Sequence, residues 1–365
     1  MLKLRVVVDF SFVVFLTLCP RLFAQTRPAT NPDNAADLYI RAANLIVVHS
    51  PLETAEIFPA YPPFGPKWNA MAKAAFEQNA PALQLARQAQ GIDSATWSTD
   101  MKNLLPDLNA CAAMSREMAD AAYYQHFHGN DAGAFESIQD ILHESAILRA
   151  YSPAHQQIRS LMSGGVSGWA ARVLMIIAPR VRLTSDPNDV QGLEISRAKE
   201  IIAILLNQED PAAEMYGPAT RPAATDRAFI YQVEMLNRDS AECTFAALSL
   251  ACQLFAFDHH RWPDALDELK PAYLSAIPID PWGDGRQTYG YVIIKRGLPD
   301  GGNRPLLYNR CQSQNGLFYA ANCPSCEFYF ELVHGSKHGG QFRDVAAWPA
   351  GTYINIYPAT TRPLQ

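Results

Sequence analysis

The chain has 365 residues, a formal charge of -6, 48% hydrophobic residues and 18% charged residues. These values exclude a disordered chain and leave room for two domains, each with its own core. The acidic balance, with no Lys/Arg run longer than two, argues against nonspecific nucleic-acid binding.

Residues 1–24 read as a secretory signal. Lys3 and Arg5 form a basic start, an apolar run interrupted by Asp9 follows, and Leu22-Phe23-Ala24 gives a cleavage site before Gln25. The apolar run is shorter than the about 20 residues that a stable span needs. An uncleaved N-terminal membrane anchor is the alternative. Cleavage would move the charge from -6 to -8 and leave Cys111, Cys243, Cys252, Cys311, Cys323 and Cys326. Export permits disulfides. Cys243 and Cys252 fall on one predicted helix about 13 Å apart, at 1.5 Å per residue. A disulfide needs less than about 7 Å. Cys311, Cys323 and Cys326 are the better candidates for a bonded group.

Residues 34–49 show helical spacing, with Leu38, Leu45 and Ile46 on one side. The proline-rich stretch 51–66 reads as a loop, and residues 68–90 resume the helical pattern. Residues 104–128 and 132–151 form a predicted helical hairpin. Gly129 ends the first helix in the left-handed conformation and Asp131 caps the second. In that hairpin Ala112, Met118, Ala119 and Ala122 face Phe135, Ile138, Ile141 and Leu142. Pro153 opens a further helix that ends at Pro179, and residues 190–206 form another. The Gly-Asn-Asp junction followed by spaced alanines is similar to tetratricopeptide-like repeats, but no constant 34-residue period occurs, so the array is solenoid-like only.

Residues 208–225, with Pro211, Pro218 and Pro222, read as a linker. Asp226 caps a long helix running to about Phe257, in which Leu248, Cys252 and Phe255 form a stripe that needs a sheet to cover it. Strand patterns follow over 288–295, 305–309, 317–320, 327–333 and 352–357. The expected fold class is α+β: an all-α helical domain over 34–207, the linker, an α+β domain over 226–357 and a tail over 358–365.

From about Phe245 to Asn309 the chain resembles the C-terminal part of the major pseudopilin of type II secretion systems. The matching residues are Leu254 to Asp258, the turn Arg261-Trp262-Pro263, Ala272-Tyr273-Leu274, Asp280-Pro281-Trp282-Gly283, Tyr289 and Leu306-Leu307-Tyr308. The resemblance implies a long helix packed on a small antiparallel sheet. Two departures limit it. The helix is internal, and Asp239, Ser240 and Glu242 interrupt its apolar character, which argues against pilus-type assembly. The loop after Tyr308 contains no carboxylate, so the family's calcium site does not carry over. The arrangement as a whole also resembles exported proteins of planctomycete-type bacteria, which join a helical region opening with Asn-Ala-Ala-x-Leu-Tyr, here residues 34–39, to a pseudopilin-like tail. That resemblance brings no activity with it.

The remaining chemistry is sparse. Cys323 and Cys326 have dithiol spacing, but a strand rather than a helix follows them. With His334 and His338 they could form a zinc set, although the gap between the pairs is shorter than in common zinc fingers. A disulfide involving Cys311 accounts for the same residues. Asp258, His259 and His260, and likewise His126 and His128, read as polar helix ends. Asp280, Asp284 and Asp300 read as turn carboxylates. Ser163-Gly164-Gly165 lacks the strand–glycine–helix context of a phosphate loop. Tyr61, Trp68 and Trp348 would serve as a glycan platform if exposed. The expectation is a non-catalytic, periplasmic or otherwise exported protein without cofactor, whose partners are other exported or envelope proteins. The alternative is a metal-binding or thiol-redox protein using Cys323, Cys326, His334 and His338, with zinc as the metal; a calcium role would fall instead to the turn carboxylates Asp280, Asp284 and Asp300.

Overall fold

The computed structural model describes residues 33–49, 65–149, 156–207, 227–283, 285–294, 303–310, 317–321 and 331–334. The signal, the 208–225 stretch, the 352–357 strand pattern, Cys311, Cys323, Cys326 and His338 lie outside these residues, as does the His334 side chain. The described chain is mostly helical with a small antiparallel sheet at its C-terminal end, as the α+β expectation has it.

Helix α1 (Ala35–Asn44) is capped by Asn34, whose side chain accepts from Ala36 N–H. The same side chain exchanges hydrogen bonds with the Thr96 backbone, donating to its carbonyl and accepting from its amide, and so ties the start of α1 to residue 96. The helix stops at Asn44, leaving Leu45 exposed beyond it rather than on the buried face.

The 68–90 pattern is two helices, α2 (Gly65–Gln78) and α3 (Ala80–Ala89), broken at Asn79. Pro81 suits the first turn of α3, where its missing N–H costs nothing. Asn79 itself is fully buried. Its side-chain oxygen accepts from the amides of Val47 and Val48, and its amide donates to the Val48 carbonyl and to Glu117 on the next helix.

Helices α4 (Met101–Phe127) and α5 (Asp131–Arg149) form the expected hairpin. Gly129 is left-handed at φ 81°. The cap of α5 is Asn130, which accepts from Gly133 N–H, and not Asp131. Asp131 instead bonds His126 and the amide of Arg182, fastening the hairpin to the next strand. The contacts Ser115–Glu144 and Gln125–Ser137 show α4 and α5 running antiparallel.

Helix α6 (Gln156–Ile177) returns antiparallel to α5, joined by the Ser145–Ser163 pair. A short parallel bridge between β1 (Leu183–Thr184) and β2 (Leu193–Glu194) precedes α7 (Ile195–Leu206), which is therefore shorter than the 190–206 pattern. Helix α8 (Arg227–His259) is the longest element. It packs against α6 along its first part, against α7, and against the sheet.

The sheet is a meander of β3 (Gly290–Ile294), β4 (Arg304–Tyr308), β5 (Leu317–Ala321) and β6 (Glu331–His334). Leu248, Cys252 and Phe255 are buried as their spacing implies, and Phe245 meets Tyr289 edge to face at 4.9 Å. Gly290 lies opposite Tyr308, and a Cβ there would fall 2.2 Å from the tyrosine ring. The absence of a side chain at 290 is what lets that ring lie across β3. One continuous apolar core runs from Ala35 to Leu307 through both the helical array and the sheet-bearing part. Among the described residues two helical stretches, 158–180 and 233–259, are long and apolar enough to cross a membrane, and most of each is buried within the fold.

Asn79 closes the join between α1, α2 and α4, so Asn79→Ala should remove about 2–4 kcal/mol of stability by deleting its bonds to the residue 47–48 backbone and to Glu117 at a fully buried position. A shift of the urea midpoint at constant m-value would report it.

Candidate functional site

The carboxyl groups that burial raises lie at two interior seams. The first lies where α1, α3, α4 and α5 meet. Helix α5 carries Glu136, Asp140 and Glu144 at four-residue spacing, hence on one face. Arg87 on α3 serves the first two. Its Nε lies 2.9 and 2.7 Å from the two Asp140 oxygens, and Nη1 pairs with Glu136. Burial works against the Arg87 charge, but Asp140 and Glu136 outweigh it and raise the guanidinium. Burial pushes Asp140 up to about 7 against the pull of Arg87.

Tyr39 from α1 closes this seam. Its hydroxyl is 2.9 Å from the Asp140 carbonyl and 3.0 Å from His143 Nδ1. A phenol has one hydrogen. If it goes to the carbonyl, His143 Nδ1 carries the proton that completes the second bond. Burial raises Tyr39 and lowers His143, so both are held neutral. Glu144 is fully enclosed one turn beyond Asp140. Oε2 lies 2.8 Å from Ser115 Oγ, Oε1 has no hydrogen-bond partner, and burial pushes the carboxyl up to about 8.

The second seam joins α6 and α8. Gly164 and Gly168 face α8, and a Cβ at Gly164 would fall 2.2 Å from Asp239 Oδ2, one at Gly168 3.0 Å from Glu242 Oε2. The bare glycine backbone leaves space for both carboxyl groups. Glu242 is wholly buried and takes Arg172 Nε at 3.0 Å, Arg172 Nη2 at 3.2 Å and Arg238 Nε at 3.3 Å. Asp239 has no such pairing at Oδ2, and burial pushes it up to about 7. Cys243, one turn along, is raised to about 12 by burial and is inert as a nucleophile at neutral pH.

The residues singled out in the sequence have other surroundings. Asp258 accepts a 2.6 Å bond from Tyr273 and His259 stacks on Phe255, so the end of α8 is a packed polar cap. His128 Nδ1 bonds the Tyr124 carbonyl one turn back. Asp280 is buried, accepting from Trp282 N–H at 3.1 Å and from Arg310 N–H at 2.7 Å, which fixes the turn to the end of β4. Ser163, Gly164 and Gly165 lie inside α6. Trp68 is no exposed platform: it is fully buried, donates to Asp120 and meets Tyr123 and Phe127 edge-on. Tyr61 and Trp348 lie outside the described residues. Among the described residues no three His, Cys, Asp or Glu side chains converge as a metal would require.

The acids of α5 and their partners were not singled out from sequence. The signal available was three carboxylates at a spacing of four on one helix. Compared with family models, curated proteins and solved structures, the chain shows no match.

The α6–α8 ion group is asymmetric: Glu242 is wholly enclosed, whereas the Arg172 and Arg238 side chains are 32% and 30% exposed. Replacing both arginines by alanine strands a buried charge and should cost roughly 3–5 kcal/mol. Glu242→Ala, which lets both arginines turn to water, should cost less. Chemical denaturation of the two variants gives the order directly.

Proposed function

We propose that this is a non-catalytic exported envelope protein in which a helical interaction domain is joined to a pseudopilin-like α+β module. The observation that carries the reading is how the interior spends its polar groups. Asn79 joins the residue 47–48 backbone to α4, Asp120 joins α4 to α2, Glu242 joins α8 to α6, and Asp280 joins a turn to the end of β4. Each is a tie between elements of the fold.

The pseudopilin-like reading of the C-terminal part is supported by the order of its parts. A long helix is followed by a short 3-10 turn (Leu266–Leu269), the Asp280-Pro281-Trp282-Gly283 turn and an antiparallel meander. Trp282 in that turn donates its indole N–H to Glu234 on α8 at 3.1 Å, docking the turn on the helix. Trp262 donates to the Asn303 carbonyl and Tyr291 to the Pro263 carbonyl, holding the turn after α8 to the sheet. Asp239 and Glu242, which break the apolar character of α8, meet α6, an internal use that a filament-forming helix would not require. The partners under this reading are other exported or envelope proteins.

Cell fractionation with N-terminal sequencing tests the export part, with a mature chain beginning at Gln25 in the envelope as the expected result. Thiol titration and metal analysis of the native protein test the rest. The expectation is no bound metal and an oxidised pair among Cys311, Cys323 and Cys326. One equivalent of zinc with Cys323 and Cys326 as thiols would overturn it in favour of a site completed by His334 and His338.

A further inference from the structure

We propose that Glu144 is a pH latch: it is folded into the α4–α5 seam as a neutral carboxylic acid donating its proton to Ser115, and its ionisation loosens the packing of α1, α4 and α5. Ser115 Oγ lies 2.9 Å from the Cys111 carbonyl and 2.8 Å from Glu144 Oε2, yet it has one hydrogen to give. If the serine gives it to the carbonyl one turn back, Glu144 must supply the proton in the other bond. Protonated, Glu144 then presents a donor to the hydroxyl, and Oε1 becomes a neutral carbonyl oxygen without a partner. Ionised, the group would be a full charge with no access to water, only the neutral Ser115 hydroxyl and Cys111 thiol beside it and no cation in an ion pair with it. An uncompensated buried charge is far more costly than an unpartnered carbonyl oxygen.

The neighbourhood makes the proton hard to lose and its loss consequential. Asp140, one turn earlier on α5, repels the second charge, and the raised carboxyl follows from burial first and from that repulsion after it. Arg87, the cation nearest in the row, is already taken by Asp140 and Glu136. Arg116 on α4 acts on Glu144 at a distance only. From α1 the facing group is Tyr39, with His143 beside it; from α4 it is Cys111. From α6, Arg159 is bound to the Leu148 carbonyl further along α5. From α7, Arg197 acts on Asp140. Burial first, and then the charges of Glu144 and Asp140, raise Tyr39, the residue by which α1 is pinned to α5 beside this group.

The sign follows from the direction of the shift. A carboxyl raised from 4.5 to about 8 holds its proton more tightly folded than unfolded. Its stabilising effect is complete below the ordinary glutamic acid range and is lost as pH rises to about 8, beyond which both states are ionised. Urea unfolding of the full chain from about pH 5 to about pH 8 should therefore show the wild-type unfolding constant rising about tenfold per pH unit relative to Glu144→Gln. Asp140 and Asp239 titrate in the same interval, so the difference between the two proteins is the measured quantity. Parallel pH profiles would overturn the proposal. Infrared absorption of the wild type keeps it testable if the variant does not fold. A protonated carboxyl band that remains above the titration of Asp140 and Asp239 and vanishes only near pH 8, together with faster hydrogen exchange in α4 and α5, is expected. A spectrum without such a band would overturn it.

Discussion

The fold depends on how closely α6 and α8 can approach. Two glycines a turn apart on α6 open a groove, and two carboxyl groups a turn apart on α8 fill it. The pairings Gly164–Asp239, Gly168–Glu242 and Val181–Gln253 advance together along both chains, so the helices run side by side in the same direction. Parallel neighbours need a crossover, and the chain between them carries the β1–β2 bridge and α7, which packs on α8. The position of α8 then fixes the rest. Its buried stripe receives Tyr289, Tyr273 and the turn bearing Trp282.

Charge inside this protein is handled by enclosure with selective pairing. Arg87 and Arg172 each reach in from partly exposed positions to meet acids that are almost wholly buried. At Glu144 and Asp239 burial raises the carboxyl with no paired guanidinium to oppose it, and at Asp140 it does so against the pull of Arg87.

Much of the helical framework was legible because amphipathic spacing and turn chemistry agree. Gly129 ends α4 as its left-handed conformation requires, and the stripe of α8 is buried as its spacing demands. Other features were hidden for physical reasons. The pattern over 68–90 is helical on both sides of Asn79, and only tertiary bonds to residues 47, 48 and 117 reveal why the helix breaks there. Asn130 and Asp131 are equally good caps by composition. Asp131 has a better use with His126 and the Arg182 amide, so Asn130 takes the cap. The interior acids could not be located because a carboxylate on a helix usually marks the wet face. At Asp140 and Glu144 that rule fails, since partners from α3 and α4 come from far along the chain.

Helix α8 has 33 residues, about 50 Å of unbroken α-helix, and its neighbours change along its length. At Glu242 it answers to the helical array through Arg172, and at Phe245, one turn on, it answers to the sheet through Tyr289. The helical array and the sheet-bearing part thus hold the same stretch of one helix, which meets Trp282 at Glu234 and Val181 at Gln253. Sequence drift in either part must be compatible with the same rod.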